Sequence, residues 1–180
     1  MRYLDAKDLK YPETALRRDL ERLRQRVEGF RKDPSTPDTR LADDSIKFNP
    51  ASVDSLIELA VGGLPPKHRG KLLFARLRYF DSDRRRAGLP EGVAALIDRM
   101  TDFETAVTLV NTNQVEARTV IVQAGGYGEH EFVEVQWGPE IQPLTGRHLT
   151  VRLAPGAGQR LIFKMRRFAN TPTLAFPWSN

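Results

Sequence analysis

Between Ala106 and Phe168, apolar runs of strand length alternate with turn chemistry, and this alternation restricts the chain to a mainly β architecture. The runs AVTLVN, ARTVIVQA, FVEVQW, HLTVRLA and RLIFKM are rich in Val, Ile, Thr and aromatic residues. Between them lie NTNQ, GGYG, GPEIQPLTG and PGAG, whose Gly, Pro and Asn read as turns or loops. Because strand side chains alternate between two faces, the runs also propose an inward set. It comprises Val107 and Leu109; Val120 and Val122, or their neighbours Thr119 and Ile121; Val133, Val135 and Trp137; Leu149, Val151 and Leu153; and Leu161, Phe163 and Met165. Pro155 to Gly158 reads as a hairpin loop between the last two strands. The tail ANTPTLAFPWSN, with two prolines and bulky Phe176 and Trp178, reads as an extended strap.

Upstream the period changes. From Pro12 to Lys32, Leu16, Leu20, Leu23, Val27 and Phe30 recur at spacings of four and three with charges between them, predicting an amphipathic helix with a narrow apolar seam. Such a seam suits a partner surface, either the chain's own domain or another subunit. Arg17 with Glu21 and Arg24 with Glu28 are spaced to pair along the helix. Residues 33–47 (DPSTPDTRLADDSIK) lack any period and read as an extended connection. Asn49 then caps a short helix that opens at Pro50, has Val53, Leu56, Ile57, Ala60 and Val61 as its apolar face, and stops at Gly62 and Gly63. Leu73, Ala75, Leu77 and Tyr79 alternate with Phe74, Arg76, Arg78 and Phe80 as a first strand with a cationic outer face. Pro90 opens a second short helix with Val93, Leu96, Ile97 and Met100 as its face. The expected organisation is an N-terminal amphipathic helix and linker over 1–48, then a β-sandwich domain with two short helices and a C-terminal strap over 49–180.

Asn111 and Asn113 closing a strand, with the Pro155-Gly156 turn before the final strand, resemble immunoglobulin-like C-terminal β-sandwich domains of large bacterial enzymes, notably carbohydrate-active ones. The resemblance covers about residues 71–168. It implies an immunoglobulin-like antiparallel sandwich of about six or seven strands that buttresses a catalytic domain or binds a partner, with no catalytic residues of its own.

The residues themselves narrow the chemistry further. With no cysteine, thiolate catalysis, disulfides and Cys-ligated zinc are excluded. The net charge of +5 is spread thinly: twelve Lys and Arg face ten Asp and Glu over residues 1–50, nine face six over 51–100, and seven face seven over 101–180. Nonspecific nucleic-acid binding through Arg76, Arg78 and Arg84 to Arg86 is therefore the least favoured reading. Gly125 to Gly128 lacks the lysine of a phosphate loop, and no serine sits in a nucleophile elbow. The sharpest catalytic or metal-ligating candidates are Glu129, His130 and Glu131, yet on a strand the two carboxylates point away from the imidazole. Tyr127, Trp137 and Trp178 are candidates for a carbohydrate platform.

No cofactor or metal is expected. The expected function is a non-catalytic accessory, interaction or stabilising module of a larger bacterial enzyme or assembly, with a protein partner or parent domain. The alternative is a carbohydrate-binding or carbohydrate-processing unit using the 127–131 loop. The N-terminus lacks the apolar core of a secretory signal and no run is long enough to span a membrane, so a cytoplasmic location is the default expectation unless the chain is a fragment of an exported protein.

Overall fold

The computed structural model describes residues 8–36, 53–63 and 74–179. Among the described residues, two helices, α1 (Tyr11–Lys32) and α2 (Asp54–Val61), precede nine strands: β1 (Leu77–Asp81), β2 (Arg86–Ala87), β3 (Val93–Met100), β4 (Glu104–Asn111), β5 (Arg118–Ala124), β6 (Glu131–Trp137), β7 (Glu140–Pro143), β8 (His148–Leu153) and β9 (Gly158–Arg166). The chain divides into one unit over Lys10–Leu56 and another containing Ile57–Asn180, with the boundary inside α2. Most of the linker over 33–47, the Asn49 cap, Pro50 and Leu73 lie outside the described residues.

All strand pairs are antiparallel. They form a four-stranded sheet in the order β2-β1-β5-β8 and a five-stranded sheet in the order β3-β4-β9-β6-β7, a mainly β, sandwich-like fold with helical additions. Leu77, Tyr79, Val120, Val122, Ala124 and Leu153 are buried in the first sheet; Ile97, Val107, Leu109, Phe132, Val135, Leu161, Phe163 and Met165 are buried in the second. Phe132 and Phe163 stack at 4.5 Å between ring centroids. Burial of these aromatic and branched side chains is the main favourable contribution, at about 1.5–3 kcal/mol for each large one.

Residues 90–100 form no helix. Gly92, at φ +76°, turns the chain into β3, which pairs with β4 from Val93 opposite Asn111 to Met100 opposite Thr105. Val93 and Ile97 are buried at an even spacing that both a helix and a strand satisfy; the ladder to β4 decides for the strand. Its register shifts between Ile97 and Arg99, and Asp98 there receives both Arg160 donors at 2.9 Å.

Three other expectations change for similar reasons. A register shift between Phe132 and Glu134 turns Phe132 inward and leaves Val133 exposed, while Trp137 at the end of β6 is only half-buried. The segment read as a loop after Trp137 contains β7, an exposed edge strand ending at Pro143. The Pro155 to Gly158 turn is not a hairpin, because β8 and β9 belong to different sheets; it carries the chain from one to the other.

The outer face of β1 carries Arg78, as expected, but it is covered. Phe80 is fully buried, with Phe176 and Trp178 edge-on to it at 5.8 and 5.9 Å. The tail from Arg167 to Ser179 contains no strand, and its Phe176 and Trp178 lie over this face.

In α2 the buried residues are Ser55 and Leu59, four apart, while Val53 and Leu56 are exposed, so the covered stripe is offset from the expected one. Gly62, at φ +64°, closes α2 with its N–H on Glu58 O. The Tyr79 hydroxyl donates to Ala60 O at 2.6 Å and Arg76 N donates to Val61 O at 2.8 Å, tying the end of α2 to the first sheet.

Candidate functional site

The segment Gly125 to Glu131 joins β5 to β6, and its backbone is consumed by the fold. Gly125 N donates to Arg76 O, and the amide of Gln123 donates to Gly125 O. Gly125 has φ +88°, and a Cβ there would meet the Glu129 carboxyl at 2.4 Å, so the carboxyl occupies the space a side chain would need. From the tail, Asn170 N donates to Glu129 O, the Asn170 amide to His130 O, and Thr173 N to Tyr127 O.

Glu129, His130 and Glu131 go to three different places. Glu129 Oε2 accepts from Tyr127 N at 2.7 Å, folding the side chain back on its own loop. His130 is buried, and its Nδ1 accepts from Phe168 N at 3.1 Å, which puts the proton of the neutral ring on Nε2, 3.9 Å from Glu129 Oε1. Phe168 meets this ring edge-on at 4.9 Å. Burial pushes the His130 pKa down, opposed by the Glu129 charge and reinforced by Arg167 and Arg76. Glu131 pairs with Arg166 across the β6–β9 ladder, which holds its carboxyl below the usual range. Among the described residues no group of three or more His, Asp or Glu is placed to hold a metal.

The aromatic candidates occupy separate settings. Tyr127 is half-buried in the loop. Trp137 donates through Nε1 to Glu140 at 3.0 Å across the β6–β7 turn. Trp178 stacks on Phe176 at 5.4 Å over Phe80.

The arginines considered for phosphate contact are engaged within the fold. Arg76 is buried and donates to Thr101 O and Asp102 O, with its pKa lowered mainly by burial. Arg78 donates to Gly126 O and lies over the Phe80 ring. Arg84 pairs with Glu91 at 2.7 Å, Arg86 with Asp81 at 3.2 Å, and Arg85 lies over Trp178.

The first helix presents a different situation, an apolar row that the fold covers only in part. Its buried residues are Ala15 and Asp19. Asp19 accepts from Ser55 N at 3.1 Å, satisfying a free N–H in the first turn of α2. Successive residues are turned by about 100° around a helix, so Leu16 and Leu20, each one position on, point roughly a quarter-turn away from that face. Leu16 is 39% and Leu20 47% exposed, while Leu23 and Val27 are half-buried. Phe30, the last of the row, is also exposed.

The ion pairs along α1 differ from the expected ones. Arg17 bonds back to Glu13 at 2.7 Å, and Glu28 pairs forward to Lys32 at 3.2 Å, with the acid N-terminal to the base in each case. No helix of the described residues is long and apolar enough to cross a membrane.

Sequence reasoning missed the structural partners of the 125–131 loop. Phe168, Asn170 and Thr173 lie about forty residues downstream, and only the extended, proline-rich tail hinted that a segment there would pack. It also missed the phase of α1, for which the buried Asp19 in an otherwise charged helix carried no signal. No protein-family model, curated protein or solved structure matches the chain.

Proposed function

We propose that the chain is a non-catalytic accessory or interaction module of a larger bacterial enzyme or assembly. In this reading an immunoglobulin-like sandwich is the scaffold and α1 is the partner-binding element. The observation that carries it is the offset between the residues α1 buries, Ala15 and Asp19, and the row of apolar residues beside them, of which Leu16 and Leu20 keep 39% and 47% of their surface exposed. Scattered exposed leucines are ordinary, but leucines aligned at spacings of four and three on one helix face form a surface that a second helix can cover. Support also comes from the 125–131 segment, where the carboxylate of Glu129 and Nδ1 of His130 are spent on the backbone. Asn111 and Asn113 support the immunoglobulin-like reading: they bind Glu116 O, Ala154 O and the backbone N–H groups of residues 113, 115 and 116, locking the β4 end against the Pro155-Gly156 turn.

The test is site-specific photo-crosslinking in the native cell. A photoreactive residue replacing Leu20 should give a discrete adduct with one identified protein, and the same residue replacing Gln25, on the far side of α1, should not. Equal labelling from both positions, or none from either, refutes the reading.

A further inference from the structure

Arg17, Arg24 and Arg31 recur every seven residues, each directly after Leu16, Leu23 and Phe30 of the apolar row. At about 100° per residue they form a column along the edge of the row that lies away from buried Ala15 and Asp19. All three are exposed. Among the described residues Arg17 and Arg31 pair with surface acids of their own helix, Glu13 at 2.7 Å and Glu28 at 4.0 Å, and such pairs exchange cheaply for better ones. When two helices pair along a row with this spacing, the residue flanking the row on one helix meets a flanking residue of the other, and the charges there select the partner.

We propose that the face formed by Leu16, Leu20, Leu23 and Val27 with the Arg17, Arg24 and Arg31 column docks an amphipathic helix of a partner protein whose flanking positions are acidic. This inference rests on the reading of α1 as the partner-binding element and adds the chemistry of the occupant. A second copy of the chain fits poorly. Antiparallel pairing sets the arginine column against itself. Parallel pairing sets Arg31 against Arg26, and sets Arg24 against an Asp19 already committed to Ser55 N and Arg22. A membrane surface fits less well than a helix, because the row is narrow and Glu13, Glu21 and Glu28 lie on the same helix.

The experiment uses the full chain and two synthetic peptides of three heptads. Both carry Leu along the row; one has Glu and the other Lys at the flanking positions. Binding is read by fluorescence anisotropy. The Glu peptide should bind with a Kd about tenfold lower than the Lys peptide at low salt, an advantage that shrinks as salt is raised. Arg17→Gln/Arg24→Gln/Arg31→Gln should erase the preference, and Arg17→Glu/Arg24→Glu/Arg31→Glu should invert it. Circular dichroism serves as the check that α1 stays helical in both variants. Equal binding of the two peptides to the native chain, or an unchanged preference in the Gln variant, overturns the acidic partner and leaves the α1 surface standing. Binding of neither peptide, or binding that survives Leu16→Ser/Leu20→Ser, overturns the α1 surface as well. Binding to phosphatidylserine vesicles with neither peptide bound assigns the face to a membrane surface and overturns the proposal.

Discussion

Asn111→Ala removes a buried amide that joins the end of β4 to two other segments. In the native chain Nδ2 donates to Glu116 O at 2.8 Å and Ala154 O at 3.1 Å, with Leu153 O at 3.4 Å, and Oδ1 accepts from Asn113 N at 3.0 Å. An amide has two N–H donors, so the carbonyl contacts amount to two bonds, one of them shared. Three bonds at about 1 kcal/mol net each, with a further ~1 kcal/mol for a stranded buried acceptor, give a loss of about 3–4 kcal/mol. For a domain of this size that lowers Tm by roughly 10 °C and moves the urea midpoint at constant m. Asn111→Asp sharpens the test. It keeps the shape and the acceptor for Asn113 N but faces three carbonyls with no donor, so at pH 7 it should cost more than Ala. Burial among carbonyls raises the folded pKa of the introduced carboxyl above its unfolded value of about 4. Its protonated form then donates one bond, and stability lost as pH rises through the folded pKa is regained as pH falls. Urea unfolding between pH 4 and 8, referenced to the native chain, should show the gap narrowing on acidification. An Asp variant as stable as the Ala variant at pH 7, or a gap insensitive to pH, refutes the assignment of Nδ2 to these carbonyls.

Other expectations follow from the same geometry. Burial lowers the pKa of both His130 and His148 below 6.5, so the unfolded chain takes up protons first, and stability held above about pH 6.5 should decline as pH falls toward the folded values. Melting curves from pH 8 to 5 should show the decline, and His130→Gln/His148→Gln should flatten it; an identical slope in the variant refutes the attribution. Gly63→Ala places a Cβ 1.6 Å from Phe74 O, a backbone atom that cannot swing aside, whereas a Cβ at Gly138 meets nothing within 4 Å and costs only its φ of +56°. The urea midpoint of Gly63→Ala should therefore fall far below that of Gly138→Ala, and equal midpoints would count against the close approach of α2 to the chain before β1. Tyr79→Phe deletes the bond to Ala60 O and should cost about 1–2 kcal/mol by urea unfolding, with no loss meaning that the carbonyl finds another donor.

Strands such as β9 are legible because they are short, bounded by turn residues and buried on alternate positions: Leu161, Phe163 and Met165 face inward as the pattern requires. What failed was information that does not reside in one segment. VAALIDRM satisfies a helical and an extended period equally well, and only its ladder to β4 separates them. A single extra residue between Phe132 and Glu134 reverses the local alternation, and nothing in FVEVQW announces it. The sheet change at Pro155-Gly156 is invisible for a related reason: a tight turn reads the same whether its strands pair with each other or with partners in different sheets. At the 125–131 loop the residue types suggested chemistry, but the groups that consume them arrive from residues 168 to 173, and long-range partners of that kind leave no local pattern.

In α1 the phase of the helix, not its composition, decides which face is covered. Periodicity located the apolar row, yet periodicity alone does not say which face a chain uses for itself, and here the covered face centres on Ala15 and Asp19. A carboxylate is buried at that place because the first turn of α2 presents an N–H to it, so the helix is fixed by a polar contact and its leucines are left over. If those leucines served the chain's own core, Leu16→Ser/Leu20→Ser should cost at least ~4 kcal/mol, as two buried leucines would. With the two residues 39% and 47% exposed, the expected loss in urea unfolding is about 1 kcal/mol, from the lower helix propensity of Ser and the partial burial. A large loss would mean that the row is part of the chain's own packing, and the proposed partner surface would have to be sought elsewhere.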